Sequence, residues 1–117
     1  MTIAAVQPDD TPSTPGEVTI DGAGGTIVPG FTDMHGHLGQ SDALLNLIAG
    51  VTSVRDMGND NEVLDELIDR IERGEIAGPR VVRSGFLEGK SPYNAAKGIL
   101  AWSEKEAVEG VRWYAAR

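Results

Sequence analysis

Three short strand-like runs lie in the middle of this chain, and each gap between them holds a helix-like segment. The runs are Phe31 to Leu38, Val51-Thr52-Ser53-Val54 and Arg80-Val81-Val82-Arg83-Ser84. The first alternates side chains about its axis, and the other two are short and β-branched, as strands are. Strands separated by helices cannot pair through tight hairpins. They pair in parallel through crossovers, so the order strand, helix, strand, helix, strand specifies parallel βα units. This alternation constrains the fold more than any other feature of the sequence.

The connecting segments carry their own stop signals. Ser41 is placed to cap a short helix over Asp42 to Ala49, and Gly50 fits its C-terminal stop. Asn59, Asp60 or Asn61 caps a second helix over about residues 61 to 73. Its apolar positions Val63, Leu64, Leu67, Ile68 and Ile71 fall on one face, with Glu66–Arg70 and Asp69–Arg73 as expected ion pairs on the wet side. Residues 85 to 101 read as a long irregular loop. Ser103 and Glu106 then form a capping box opening a last helix to about Ala116, with Ala107, Val108, Val111, Tyr114 and Ala115 as its packing stripe. Upstream, residues 1–16 read as a tail or linker, because residues 7–16 carry three prolines and no large apolar side chain. Residues 17–28 read as two short strands around a Gly-rich turn.

Composition narrows the partners. The 117 residues carry 10 basic and 18 acidic side chains, a net charge of −8. An acidic chain of this kind lacks the basic surface that nucleic acid or an anionic membrane would need. There is no cysteine, hence no disulfide and no thiolate metal site. No apolar run approaches the ~20 residues of a membrane span, and no signal-peptide pattern opens the chain, so the cytoplasm is the default expectation.

The only two histidines, His35 and His37, lie two positions apart in "VPGFTDMHGHLG". Strand alternation puts them on one face together with Phe31 and Asp33. Two imidazoles one strand repeat apart can converge on one metal ion; a bare His-x-His is more commonly a pair of core or solvent-facing residues. Asp33 is either a hydrogen-bond support for a ligand histidine or a polar residue bonded near the strand. Asp56, at the end of the second run, reads as a loop-capping or structural carboxylate rather than a ligand, and Arg55 as its ion partner or a solvent-exposed side chain.

Together, "VPGFTDMHGHLG" and "GVTSVRDMG" resemble the opening of the amidohydrolase superfamily of metal-dependent hydrolases. "GPRVVRSG" is similar to that family's third strand, and "GFLEGKSPYNA" to a loop of the branch with imidazolonepropionase-like enzymes and Xaa-Pro dipeptidases. The resemblance implies a (β/α)8 barrel, of which residues 29–117 would be the first three βα units, preceded by a β-sandwich remnant at residues 17–28. It implies that His35 and His37 are metal ligands, with zinc the expected ion and one or two divalent ions in the family. It also implies hydrolysis of an amide, peptide or cyclic amide bond in a small-molecule or dipeptide substrate, by hydroxide activated at the metal. Lys90 and Tyr93 lie on a loop that would overhang such a site, as substrate contacts or as surface residues.

The chain departs from the family pattern as well. It has no third histidine, and Lys90, Lys97 and Lys105 lie in the loop and last helix rather than at strand ends. A whole barrel needs roughly 250 residues. The expectation is therefore an N-terminal portion that is inactive by itself, with no catalytic residue assigned. It should be a homo-oligomer or part of a longer chain. The competing expectation is a non-enzymatic acidic α/β module that assembles with partner chains.

Overall fold

A computed structural model describes residues 3–8, 11–95 and 97–117. Its centre is a three-stranded parallel sheet in the order β1 (Phe31–Gly36), β2 (Val51–Asp56), β3 (Arg80–Arg83). Helices α1 (Asp42–Ile48) and α2 (Asn61–Glu72) make the two crossovers. A second parallel sheet pairs β4 (Leu87–Gly89) with β5 (Ile99–Ala101), and α3 (Glu104–Ala115) closes the order.

Local chemistry sets the helix ends. The Asp60 carboxylate accepts from the Glu62 and Val63 N–H groups, satisfying two of the donors that open α2. Ser103 Oγ accepts from the Glu106 N–H at the start of α3, while the Glu106 carboxylate reaches back to the Trp102 N–H. At α1, Ser41 occupies the cap position without a capping bond of its own, and the Asp42 carboxylate accepts from the Gly39 N–H instead. Gly50 reverses the chain after α1 at φ +81°, which lets its neighbour Phe31 N–H bond the Gly50 carbonyl and start the β1–β2 ladder.

The core is small. Leu38, Ala43, Val54 and Leu67 are buried together, with Val51, Ile71, Ile76 and Val81 packed around them. α2 buries Leu64, Leu67 and Ile68 and leaves Val63 exposed. α3 turns Gly110 against Leu87 and Ile99, so its contact face runs through Ala107, Gly110 and Tyr114, with Val108 and Val111 outward. Tyr114 Oη lies within hydrogen-bond reach of the Phe86 carbonyl and of Asn61 on α2. Asp65 on α2 meets both Arg83 of β3 and Arg117. These contacts join the second sheet and α3 to the first.

Several expectations need correction. The fold is not a (β/α)8 barrel or a closing part of one: the described residues form two small open parallel sheets and three helices. Among the described residues, no fourth strand joins the central sheet after β3. β4 pairs with β5 instead, so β1 and β3 remain edges, and closure requires a neighbour on both sides of every strand. Nor do residues 17–28 form sandwich strands. Only the turn at Ala23–Gly24 appears, and Val18, Ile20 and Ile27 stand exposed, as expected of a short two-strand ribbon with no sheet to pack on. The segment 85–101 is not one irregular loop, since β4 and β5 lie within it. Arg70 and Arg73 both reach Glu75 beyond the helix end, rather than Glu66 and Asp69. No helix among the described residues is long and apolar enough to cross a membrane.

Candidate functional site

The histidine pair sits at the C-terminal end of β1. His35 is within the strand and His37 is one residue past it. Their ring centroids are 5.5 Å apart at an interplanar angle of 72°, and both residues are exposed.

Their common direction follows from their spacing of two, and an irregularity in the ladder decides which other residues share it. Asp33 pairs with Val54 and Gly36 pairs with Asp56, so β1 spends three residues where β2 spends two. The extra residue is a β-bulge, which reverses the alternation of faces across it. Asp33 and Gly36 therefore both lie on the core face with Val54. A Cβ placed on Gly36 would fall 2.7 Å from Val54 Cγ1 and 3.3 Å from Asp33 Oδ2. His35 and His37, flanking Gly36, take the opposite and open face. Strict alternation would group Asp33 with the histidines; the bulge separates them. The Asp33 carboxylate accepts from the His35 main-chain N–H at 2.9 Å, so its bond is to the backbone rather than to an imidazole. Arg55 Nε donates to the Met34 carbonyl at 2.9 Å, within the bulge itself.

His37 has a partner from the turn after β2. Its Nδ1 lies 2.7 Å from the Gly58 carbonyl oxygen. That oxygen can only accept, so Nδ1 carries the proton, and in the neutral ring Nε2 holds the free lone pair. This is the arrangement metal-ligating histidines commonly adopt. Asp56 lies beneath, 1% exposed. Its Oδ2 accepts from the Leu38 N–H at 2.7 Å and from Asn59 Nδ2 at 3.1 Å, and its Oδ1 accepts from the Gly58 N–H at 3.0 Å. With those bonds made, Asp56 ties two turns together rather than reaching toward the histidines.

The donor set fits zinc in kind: two neutral imidazoles are suitable ligands, and they supply two of four tetrahedral positions. Among the described residues no group of three or more potential ligands gathers at one point. Lys90 directly follows β4 of the other sheet, and Tyr93 lies in the turn after it. The Lys90 ammonium stands over the Trp102 ring at 3.3 Å from its centroid, the Lys90 main-chain N–H donates to the Ala101 carbonyl, and Tyr93 projects into solvent. A cavity of about 390 Å³ lies there too, lined by residues including Leu87, Ala101, Trp102 and Ala107, away from the histidine pair. Sequence reading assigned no role at the pair to Gly58 or Asn59. "DMGN" carries a turn signal, but which side chains that turn meets is decided by packing.

Fold and site thus define a small parallel α/β unit presenting two histidines at a strand end. The solved structures include a similar one: a crystal structure described as a "putative prolidase" from Bifidobacterium longum, 30% identical, with a TM-score of 0.61 over 75% of this chain. The match covers 24% of that protein, so this chain spans about a quarter of its length. No family model and no curated protein matches the chain.

Proposed function

We propose that this chain is the histidine-bearing portion of a metal-dependent hydrolase acting on an amide or peptide bond, with an Xaa-Pro dipeptide as the first substrate to try. The observation that carries the reading is the pair of imidazoles 5.5 Å apart on the open face. The likeness to the Bifidobacterium longum protein supports it and suggests the substrate class. His35 and His37 would hold one divalent ion, zinc first, through ring nitrogens, with the remaining positions filled by other groups. When bound, such an ion would supply Lewis-acid polarisation of the scissile carbonyl and acidification of water. The chain's own contribution is orientation: His37 presents Nε2 because Nδ1 is engaged, and strand alternation sets both rings on one side, away from Asp33. A catalytic zinc site takes three protein ligands, so the 117-residue chain should bind zinc weakly and turn over no dipeptide.

Titration calorimetry with zinc alone tests this on the wild-type chain and on His35→Ala/His37→Ala. Binding that disappears in the double variant supports the reading. No binding, or binding equal in both proteins, overturns it.

A second reading is favoured by one observation: Phe31, Met34 and Val82 are exposed beside two unpaired strand edges. On that reading the chain is an acidic α/β module that covers this face by assembly, with a second copy as the simplest partner. Light scattering showing only monomer across a concentration series would dispose of self-association.

A further inference from the structure

We infer that Asp56 is the positioning residue for His37, acting through Gly58 and Asn59 to fix which ring nitrogen faces outward. The three donors to its carboxylate are placed around that one histidine. Leu38, whose N–H donates to Oδ2, is the residue after His37; Gly58, whose N–H donates to Oδ1, carries the carbonyl that accepts from the His37 ring. Asn59 closes the loop, with one Nδ2 donating to both the Leu38 carbonyl at 2.8 Å and Asp56 Oδ2 at 3.1 Å. Both the backbone on the far side of His37 and the acceptor of its ring are thus tied to one buried carboxylate.

The chemistry calls for a carboxylate at this point. Three donors converge on two oxygens, and only an ionised Asp accepts at every site. An asparagine of the same shape would turn an N–H₂ toward an N–H. The turn itself has little freedom. Gly58 is buried with φ at +149°, and a Cβ there would fall 2.7 Å from the Phe86 ring. Rigid support beneath a single ring orientation is what an imidazole needs to present one nitrogen to a ligand.

This inference rests on the metal-hydrolase reading only for what the outward Nε2 is for; the tautomer is a property of the metal-free chain. Nitrogen-15 NMR of ring-labelled histidine reads it directly. The comparison is between wild type, Asp56→Asn, Asn59→Ala and Val81→Ala, the last loosening the same core without touching the network. His37 should carry its proton on Nδ1 in wild type and in Val81→Ala. It should shift toward the Nε2–H form or an average in Asp56→Asn, and in Asn59→Ala to a lesser degree. Affinity for zinc alone should fall about tenfold or more in Asp56→Asn. A folded Asp56→Asn with an unchanged His37 spectrum overturns the inference, as does an equal change in Val81→Ala. If Asp56→Asn does not fold, Asn59→Ala decides by the same criterion. Zinc that binds wild type no better than His35→Ala/His37→Ala overturns the metal reading, while the tautomer comparison still decides the role of Asp56.

Discussion

Gly36, between the two histidines, should resist any side chain, and the cost can be worked from its surroundings. Its φ is not in the left-handed region, so alanine meets no backbone penalty there. The obstacle is contact: the added methyl would sit 2.7 Å from Val54 Cγ1. Val54 is 1% exposed and, being β-branched, has few rotamers to escape into. Overpacking of this kind costs about 1–3 kcal/mol. The alanine also restricts the unfolded chain, which returns about 0.4–1 kcal/mol. The net expectation for Gly36→Ala is about 1–2 kcal/mol of lost stability. Val54→Ala removes two methyl-sized groups, about 1.6 kcal/mol by transfer at about 0.8 each. A cavity contribution raises that to about 2–3 kcal/mol. In the double variant the new methyl moves into the space the valine vacates. Its cost should then be close to that of Val54→Ala alone, a favourable coupling of about 1–2 kcal/mol. Urea denaturation of the four proteins closes the cycle. Additivity within about 0.3–0.5 kcal/mol, or a Gly36→Ala protein more stable than wild type, would refute the packing account.

Tyr114→Phe removes the hydroxyl that reaches the Phe86 carbonyl at 2.9 Å and Asn61 Oδ1 at 3.1 Å. Its single proton serves one acceptor at a time, so the loss should be about 1–2 kcal/mol in urea denaturation. Asp65→Asn weakens the contacts to Arg83 and Arg117, whose side chains, like that of Asp65, are about a third exposed. Solvent screening should hold that effect under about 1 kcal/mol, and it should shrink as salt rises toward ~0.5 M.

The elements that sequence reading located are those whose signals are local. Asp60 caps α2 and Gly50 stops the chain after α1, because a cap or a left-handed glycine acts within a few residues of itself. Parallel pairing of β1, β2 and β3 was legible for a similar reason, since a helix-length gap leaves few other connections. β4 and β5 were not legible. Each has three residues, Leu87-Glu88-Gly89 carries no β-branched side chain, and their pairing partners lie 12 residues apart along the chain. The face of α3 was not legible from its apolar residues either, because Gly110, with no side chain to mark it, is what lets α3 approach Leu87 and Ile99. The family resemblance suggested a barrel, but closure depends on strands pairing beyond β3, and β4 turns away to β5.

At the histidine pair the limit is of another kind. That two imidazoles share a direction follows from their spacing; which other residues share it does not. A bulge is an extra residue counted between two strands, so neither strand's own alternation contains it. Here the count differs between Asp33–Gly36 and Val54–Asp56, and that one residue moves Asp33 to the core face. The groups that do touch the pair come from the turn after β2: Gly58 accepts from His37 across 21 positions of sequence, and Asp56 holds both ends of that contact. Glycine and aspartate in "RDMGN" are ordinary turn residues by composition. Their bearing on His37 arises only once β1 and β2 are laid side by side, because parallel pairing brings both C-terminal strand ends to the same end of the sheet. A residue that orients a histidine at the end of one parallel strand is therefore to be sought in the first turn after its neighbour.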